Sequence, residues 1–253
     1  MMLLVDAGNT RIKWRILYGR MLQASGAVPT ANVADLALAW QPHRLTGAVL
    51  SCVADAAAQA GLVRLMAELG LPAQWLVPAR EKYGLINLYD VPEKLGADRY
   101  AALIAAARLK LGDCVVVSVG TATTVDMLSR NNEFLGGVII PGPDLMRAAL
   151  LGGTGQIESR MQGDATSANN IGNPSTLPRN TDAAVDLGIV LAQAGVVTAV
   201  CGRMPVASEP PLVILTGGAR TQIRGWLRGQ LIEIEDLVLE GLAWIALEST
   251  LES

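Results

Sequence analysis

Two segments with the same strand–turn–strand pattern lie in the two halves of this chain. The first reads LLVDAGNT at residues 3–10, and the second reads VVVSVGTA at residues 115–122. Each begins with an apolar run typical of a buried strand and then breaks at a glycine, Gly8 or Gly120. A glycine turn exposes backbone N–H groups that no bulky side chain covers, which is an arrangement that binds phosphate. The repetition predicts two similar lobes with a nucleotide between them.

The alternative is that both segments are ordinary tight hairpins. Two-residue hairpin turns favour Asn-Gly or Asp-Gly, whereas here the glycine comes first, before Asn9-Thr10 in one segment and before Thr121 in the other. The segments also differ in charge, because Asp6 of the first aligns with Ser118 of the second. The order of residues favours phosphate binding at both turns, with a carboxylate beside only one.

The elements predicted around the two turns follow one order: three strands, a helix, a strand and a helix. In the first half, strands are predicted at 2–6, 11–18, 21–28, 46–53 and 74–77, and helices at 31–40 and 55–69. In the second half, strands are predicted at 113–119, 123–128, 134–140 and 212–216, and helices at 97–111, after Pro143 to about 151, and at 181–201, 220–228 and 237–250. Residues 78–95 are predicted as a polar loop, and 152–180 as a long loop with a short helix. The repetition predicts an α/β fold with mixed sheets, in lobes of residues 1–95 and 96–253.

Composition excludes several classes of protein. The chain of 253 residues is 51% apolar and 17% charged, so disorder is not expected. The net charge of −3 and the absence of a Lys/Arg-rich block argue against nucleic acid as a partner. Cysteines are isolated, which fits a reducing compartment. The apolar stretch Leu187–Cys201 is shorter than the roughly 20 residues of a membrane span. We therefore expect a soluble cytoplasmic protein without a membrane partner.

Asp6 ends a hydrophobic strand, where a carboxylate is costly unless a partner satisfies it. One hypothesis is that Asp6 orients a hydrated Mg²⁺, an ion that favours one or two carboxylates together with phosphate oxygens. The other is a turn residue that accepts the N–H groups of Gly8 or Asn9. Lys13, on the following strand, is either a point charge for a phosphate or a solvated side chain. The presence of the second turn favours the phosphate-site hypothesis for Asp6.

Residues 96–99 read GADR and open a predicted helix, with Asp98 in its first turn. A carboxylate there is stabilised by the helix dipole, and position alone favours this structural role. The functional hypothesis is a general base that takes a proton from an attacking hydroxyl, with Arg99 holding an anion beside it. Thr181 similarly begins the helix 181–201 and is interpreted as part of its N-cap, with ligand binding as the alternative.

Six motifs together point to a known family. In chain order they are DAGNTRIK (6–13), GADR (96–99), GTATTVD (120–126), GGVIIPG (136–142), RNTDA (179–183) and TGG (216–218). The chain resembles the type III pantothenate kinases, members of the acetate and sugar kinase/Hsp70/actin superfamily. The likeness covers nearly the whole chain, and its specificity lies in the combination rather than in any single motif.

The resemblance implies ATP-dependent phosphorylation of the primary hydroxyl of pantothenate to 4′-phosphopantothenate, the first step of coenzyme A biosynthesis. It implies duplicated ribonuclease H-like lobes with an ATP cleft between them, Mg²⁺, and a homodimer whose partner completes the pantothenate pocket. By that likeness Asp98 is the catalytic proton acceptor. The implied ATP-binding residues are Asp6, Ala7, Gly8, Asn9, Thr10, Arg11, Ile12, Lys13 and Thr121. The implied pantothenate contacts are Tyr89, Gly96, Ala97, Asp98, Arg99 and Thr181.

Ser118 departs from the family pattern. Many members carry at this position an aspartate that helps to bind a monovalent cation. A serine hydroxyl is neutral and a weaker cation ligand, so we hypothesise that the family's dependence on K⁺ or NH₄⁺ is weakened or met differently here. Asp126, on the adjacent predicted strand, is another source of charge.

Two other functions fit the same fold. One is a nucleotide-sensing regulator without catalysis, against which the retained Asp6, Asp98 and Arg99 argue. The other is a kinase or ATPase of the superfamily with another small-molecule substrate. The apolar helix 181–201 is the predicted dimer interface, because so apolar a surface needs cover.

Overall fold

The computed structural model describes residues 1–153, 176–205 and 210–251. The chain divides into two compact units. The first unit consists of Met1–Leu111, Leu128–Leu135 and Asp236–Ser253, and the second consists of Gly112–Met127 and Gly136–Glu235.

The first unit is built on a five-stranded mixed sheet. Its strands are β1 (Met2–Ala7), β2 (Arg11–Tyr18), β3 (Met21–Pro29), β4 (Gly47–Cys52) and β5 (Ala73–Trp75), in the order β3-β2-β1-β4-β5. Neighbours β1 and β2, and β2 and β3, are antiparallel, whereas β1 and β4, and β4 and β5, are parallel. The predicted strands are confirmed within a residue or two.

The alternation of side chains along β1 separates two faces of this sheet. Leu3 and Val5 pack with Leu50 in a core covered by helices α1 (Leu36–Trp40) and α2 (Ala56–Glu68). Residues of opposite parity, Leu4 and Asp6, lie on the other face. Helix α7 (Leu237–Leu251) packs against β1 and β4, and α3 (Ala97–Arg108) packs against β4. The strand pattern therefore directs Asp6 away from the apolar core formed with α1 and α2.

Local chemistry sets the ends of the helices in this unit. The Asp55 side chain accepts the Ala58 N–H at 2.8 Å and begins α2, and Gly70, with a φ of +58°, follows its end. The helix predicted at 31–40 is wrong in its first half. Residues Thr30–Asp35 form a 3₁₀ helix that is kinked at Asn32, whose dihedrals are non-helical, and α1 begins only at Leu36.

The predicted loop 78–95 contains a small hairpin. Strands β6 (Glu81–Lys82) and β7 (Leu85–Asn87) pair in antiparallel register around Tyr83 and Gly84, which both have positive φ. Such dihedrals at both central residues belong to the tight turns that match strand twist. A 3₁₀ turn at Pro92–Lys94 then leads to α3. Strands this short leave no detectable periodicity in the sequence.

The second unit repeats the strand order of the first. Its strands β8 (Cys114–Val119), β9 (Ala122–Leu128), β10 (Glu133–Pro141), β11 (Leu212–Thr216) and β12 (Leu231–Glu233) lie in the order β12-β11-β8-β9-β10. Strand β10 begins in the first unit, where Glu133 and Phe134 pair with Ile86 and Asn87 of β7. The predicted repetition of mixed sheets is confirmed, and β12 supplies the fifth strand that the sequence left undefined.

Helices of the second unit are α4 (Pro143–Gly153), α5 (Thr181–Cys201) and the short α6 (Arg220–Arg224). Val197 and Val200 of α5 pack on the core of β8 and β11. By length and composition alone α5 is apolar enough to cross a membrane. It carries a buried Asp186, which pairs with Arg147 of α4, and a buried Gln193, whose Nε2 donates to the Pro141 carbonyl at 2.8 Å. The predicted short helix within 152–180 falls mostly outside the described residues.

The two compact units do not follow the predicted boundary between residues 95 and 96. Helix α3 and the C-terminal helix α7 both belong to the first unit, because they pack on each other and on its sheet. Their approach is close: a Cβ added at Gly241 would lie 2.0 Å from the Ala101 carbonyl oxygen. The composition of the units is therefore set by packing between segments that are distant in the sequence, and not by their order along the chain.

Candidate active site

Asp6 lies near the carboxyl end of β1, on the face opposite the apolar core. Its Cα partners are Lys13 on β2 and Ser51 on β4. Surrounding protein atoms desolvate its carboxylate, and this desolvation is the largest cause that raises the pKa of Asp6 to about 7. The charges of Asp98 and Asp236 raise it further, and Lys13 opposes them. Three carboxylates and an ammonium group therefore share one electrostatic environment in the first unit.

Asp98 occupies the first turn of α3. Its Oδ1 accepts the backbone N–H of Arg99 at 2.8 Å, so the carboxylate folds over the start of the helix. Gly96 makes this possible, because a Cβ there would lie 2.6 Å from the same oxygen. Burial raises the pKa of Asp98, and the Arg99 N–H and guanidinium oppose this rise. The predicted carboxylate thus interacts electrostatically with Asp6 and is less acidic than a solvated aspartate.

Lys13 forms an ion pair with Asp236, the residue directly before α7. Arg15, two residues along β2 and on the same face, places Nη2 3.4 Å from Asp236 Oδ2. Asp236 is not among the site residues predicted from the sequence. Its only signal is an acidic residue before an apolar helical run, which usually indicates a helix start.

Two hydrogen bonds stabilise the first glycine turn, one to strand β2 and one from the 3₁₀ helix that follows β3. Gly8 N–H donates to the Arg11 carbonyl at 3.1 Å, and the Thr30 hydroxyl donates to the Gly8 carbonyl at 2.8 Å. Asn9 and Thr10 are exposed at the tip. Of the predicted ATP-binding residues, Ala7 and Ile12 direct their side chains into the apolar core, so they offer only backbone groups to a ligand. Arg11 is exposed.

A second group of predicted residues gathers around Arg99, which is only 6% exposed. Its guanidinium carbon lies 5.9 Å from the ring centroid of Tyr89 and 5.7 Å from that of Phe134. The two rings stack at 5.9 Å. Such contacts fix the guanidinium over aromatic faces. The structure therefore brings Tyr89 and Arg99 together, and Phe134 joins them without having been predicted.

In the second unit, glycines from three motifs meet at the end of β8. Gly142 N–H donates to the Thr121 carbonyl at 2.9 Å, and a Cβ at Gly142 would lie 1.9 Å from the Gly120 carbonyl oxygen. Gly217, with a φ of +93°, approaches Val119 so closely that a Cβ would lie 2.2 Å from its oxygen. Thr121 is exposed at this turn. The turn is therefore a tightly packed backbone surface with an open tip.

Ser118 and Thr216 are register partners on adjacent parallel strands, and Thr216 donates its hydroxyl to the Glu235 carbonyl at 3.1 Å. Asp126 on β9 is buried.

Thr181 is not the N-cap of α5, contrary to the sequence interpretation. Asn180 has that role, because its extended backbone lets its Oδ1 accept the Ala183 N–H at 2.8 Å. Thr181 instead lines a cavity of about 970 Å³ between α4 and α5.

Comparisons with known proteins identify a family, relatives in sequence and structures of similar fold. The family model described as type III pantothenate kinase matches residues 2–203. The chain is 41% identical to a type III pantothenate kinase of Azoarcus sp. strain BH72, with 100% of this chain and 93% of the relative covered. A Baf family protein from Campylobacter jejuni, described as a putative transcriptional activator, superimposes with a TM-score of 0.64 at 20% identity over 98% of both chains. A putative 2-dehydro-3-deoxygalactonokinase from Sinorhizobium meliloti gives a TM-score of 0.59 at 13% identity over 99% of both.

The repeated mixed sheets and their flanking helices define an α/β protein of the actin-like ATPase and sugar kinase fold. The matched family model and the full-length relatives narrow the class further. The chain belongs to the type III pantothenate kinase family.

Proposed function

We propose that this protein transfers the γ-phosphoryl group of ATP to the primary hydroxyl of pantothenate and forms 4′-phosphopantothenate, the first step of coenzyme A biosynthesis. The observation that carries the proposal is the position of Asp98. Its carboxylate is partly buried at the start of α3 and interacts electrostatically with Asp6 and with the Arg99 guanidinium. A base, a second carboxylate and an anion-binding cation are then present in one unit of a chain that belongs to this family.

Asp98 is the proposed general base. In the transfer, the acceptor oxygen forms a bond to the γ-phosphorus while the bond from that phosphorus to the β,γ-bridging oxygen breaks. The hydroxyl proton passes to an Asp98 carboxylate oxygen, and ADP leaves. Burial suits this role, because a raised pKa brings a carboxylate closer to the acidity that a base needs near neutral pH. Phosphoryl transfer otherwise depends mainly on positioning and charge neutralisation.

Tyr89, Gly96, Ala97, Arg99 and Thr181 are the proposed contacts of pantothenate. Arg99 is the proposed partner of its carboxylate, since a guanidinium binds a carboxylate through two parallel hydrogen bonds. The aromatic stack of Tyr89 and Phe134 supports this assignment, because it holds the guanidinium in one place.

The glycine turns are the proposed phosphate-binding segments. Residues 6–13 supply the first, with exposed backbone around Asn9 and Thr10, and Thr121 supplies the second. The repeated strand order supports a duplicated actin-like architecture, with 1–95 and 96–253 as the two copies of one ancestral unit.

Magnesium is a proposed cofactor. Among the residues that the structure describes, no cluster of three or more potential ligands is arranged for a metal. This fits an ion held chiefly by ATP phosphates, with Asp6 contacting it through water, as Mg²⁺ prefers. For the monovalent cation, Ser118 offers only a neutral oxygen, so we propose a weakened dependence on K⁺ or NH₄⁺.

A homodimer is the proposed assembly, with α5 at its interface. Leu145 and Leu150 on α4 and Leu191 on α5 are exposed to 46%, 38% and 47%, beside the mostly apolar cavity that Thr181 lines. Cover by a second copy would remove this apolar surface from water. The family resemblance supports a partner that completes the pantothenate pocket. A cytoplasmic location, with neither nucleic acid nor membrane as partner, is part of the same proposal.

ATP consumption with pantothenate, compared with a panel of sugars and acetate, tests the proposed reaction. We expect ATP turnover with pantothenate and with none of the other acceptors, and a product that carries one phosphoryl group. Turnover with a sugar would indicate another kinase of the superfamily. ATP binding without turnover on any acceptor would indicate a regulator.

A further inference from the structure

Asn87, the last residue of β7, is completely buried, and both ends of its side chain are hydrogen-bonded. Its Oδ1 accepts the Tyr89 N–H at 3.1 Å, and its Nδ2 donates to the Pro92 carbonyl at 3.2 Å. A single buried amide therefore bridges the two ends of the turn that carries Tyr89. Such local bonds from an Asn side chain define a turn in place of backbone pairing.

Arg80 ties the same turn from outside. One guanidinium nitrogen, Nη1, donates to the Asn87 carbonyl at 2.9 Å, and Nη2 donates to the Asp90 carbonyl at 3.2 Å. The backbone of Arg80 also accepts the Asn87 N–H at 2.8 Å. The planar fork thus spans the two residues that flank Leu88 and Tyr89. Hydrogen bonds from a charged donor are stronger than neutral ones.

The turn is also joined to the aromatic stack. Leu88 N–H donates to the Phe134 carbonyl at 3.2 Å, and Phe134 is the register partner of Asn87. Tyr89 and Phe134 then stack and support the Arg99 guanidinium. A displacement of the turn would shift Tyr89 against Phe134 and change the surface on which Arg99 rests.

We propose that Arg80 and Asn87 are positioning residues for the acceptor substrate, acting through Tyr89 and Arg99 without touching the acceptor. This inference rests on the proposed function, because it assigns Tyr89 and Arg99 to pantothenate. Arg80 fixes the turn from its exposed side and Asn87 from its buried side. The pair acts on acceptor binding and leaves the nucleotide site unchanged.

Arg80→Ala is the main test, because Arg80 is exposed and its removal leaves the core intact. We expect the KM for pantothenate to rise about tenfold, the loss of a charged hydrogen bond, with little change in kcat and none in the KM for ATP. Arg80→Lys should restore part of the affinity, since an ammonium group can reach one carbonyl but not span two. Arg44→Ala, an exposed arginine before β4, is the matched control and should behave as wild type.

Asn87→Ser tests the buried side, with thermal unfolding to identify a folded variant. Amide hydrogen exchange of residues 88–95 gives a readout that needs no substrate. Arg80→Ala and Asn87→Ser should both exchange faster there than wild type. Unchanged exchange and unchanged pantothenate KM in Arg80→Ala would overturn the inference, as would an equal rise in the KM for ATP. If wild type does not phosphorylate pantothenate, the proposed function fails. Hydrogen exchange still decides whether Arg80 and Asn87 stabilise the turn at residues 88–92.

Discussion

Lys13 and Asp236 form an ion pair although they lie 223 residues apart in the chain. The pair connects β2, directly after the first glycine turn, with the start of the C-terminal helix. Asp236 also contributes to the raised pKa of Asp6. The end of the chain is thus part of the electrostatic environment of a proposed phosphate-binding segment.

Asp236→Asn should destabilise the first unit. It removes the counter-ion of Lys13 and one counter-ion of Arg15, which keeps its pair with Glu240, while preserving the side-chain shape. We expect a loss of unfolding free energy on the order of 1 kcal/mol. Chemical unfolding at low and high salt measures this, and the loss should shrink as salt rises. Glu68→Gln, at an exposed site on α2, should leave stability within about 0.5 kcal/mol. An equal effect of both substitutions would contradict a specific role for the pair.

Asp98→Asn should lose most turnover and keep ATP binding. The amide retains the size of the carboxylate but cannot accept the hydroxyl proton. Steady-state kinetics and nucleotide titration separate the two effects. Near-normal turnover would remove Asp98 from its proposed role as the base.

Gly96→Ala should lower kcat with little change in folding stability. The φ of −59° suits alanine, but the new Cβ would lie 2.6 Å from Asp98 Oδ1 and displace the carboxylate. We expect a decrease in kcat of about tenfold, as small misplacements of catalytic groups produce. Gly225→Ala is the control, because a Cβ there meets open space. Full activity of Gly96→Ala would show that the space left by Gly96 is not needed to position the Asp98 carboxylate.

Asp6→Asn should stabilise the protein at alkaline pH while weakening ATP binding. The folded pKa of about 7 lies above the ordinary value of 3.8, so the folded state holds the proton more tightly. Stability from this group is complete below the ordinary pKa and is lost as pH rises through 7. The variant avoids that loss, and its advantage in unfolding free energy should grow from about 0.5 kcal/mol near pH 4 to the order of 4 kcal/mol at pH 8. Unfolding at both pH values tests this, with the exposed Asp35→Asn as the matched control.

Ser118→Asp should create or strengthen activation by K⁺. The substitution places a carboxylate at a partly exposed position next to Thr216, where the native chain has a neutral hydroxyl. Activity is titrated against KCl in sodium-free buffer for both proteins. We expect weak dependence for the native enzyme and saturable activation for the variant. Strong, saturable activation of the native enzyme would show that another group, such as Asp126, binds the cation.

The sequence was informative where a pattern extends over many residues. The apolar runs of β1 and β8 and the length of α5 predicted these elements closely, because burial imposes its own periodicity. It was uninformative where a role depends on distant contacts. Asp236 acquires its role from Lys13, and Phe134 from Tyr89. Neither relation leaves a local signal. Thr181 is a different case, because the cap lies at the adjacent Asn180 and the sequence interpretation misplaced it by one residue.

Helix α3 has almost no solvent face, since all its residues except Asp98 and Arg108 are buried. Substitutions along it are therefore restricted by packing, whatever their effect on catalysis. The turn that precedes it differs, because Leu88 and Val91 are 48% and 45% exposed. Descendants of this protein that accept a different acceptor would accumulate their changes in that turn, while the Asp98 carboxylate stays where the helix holds it.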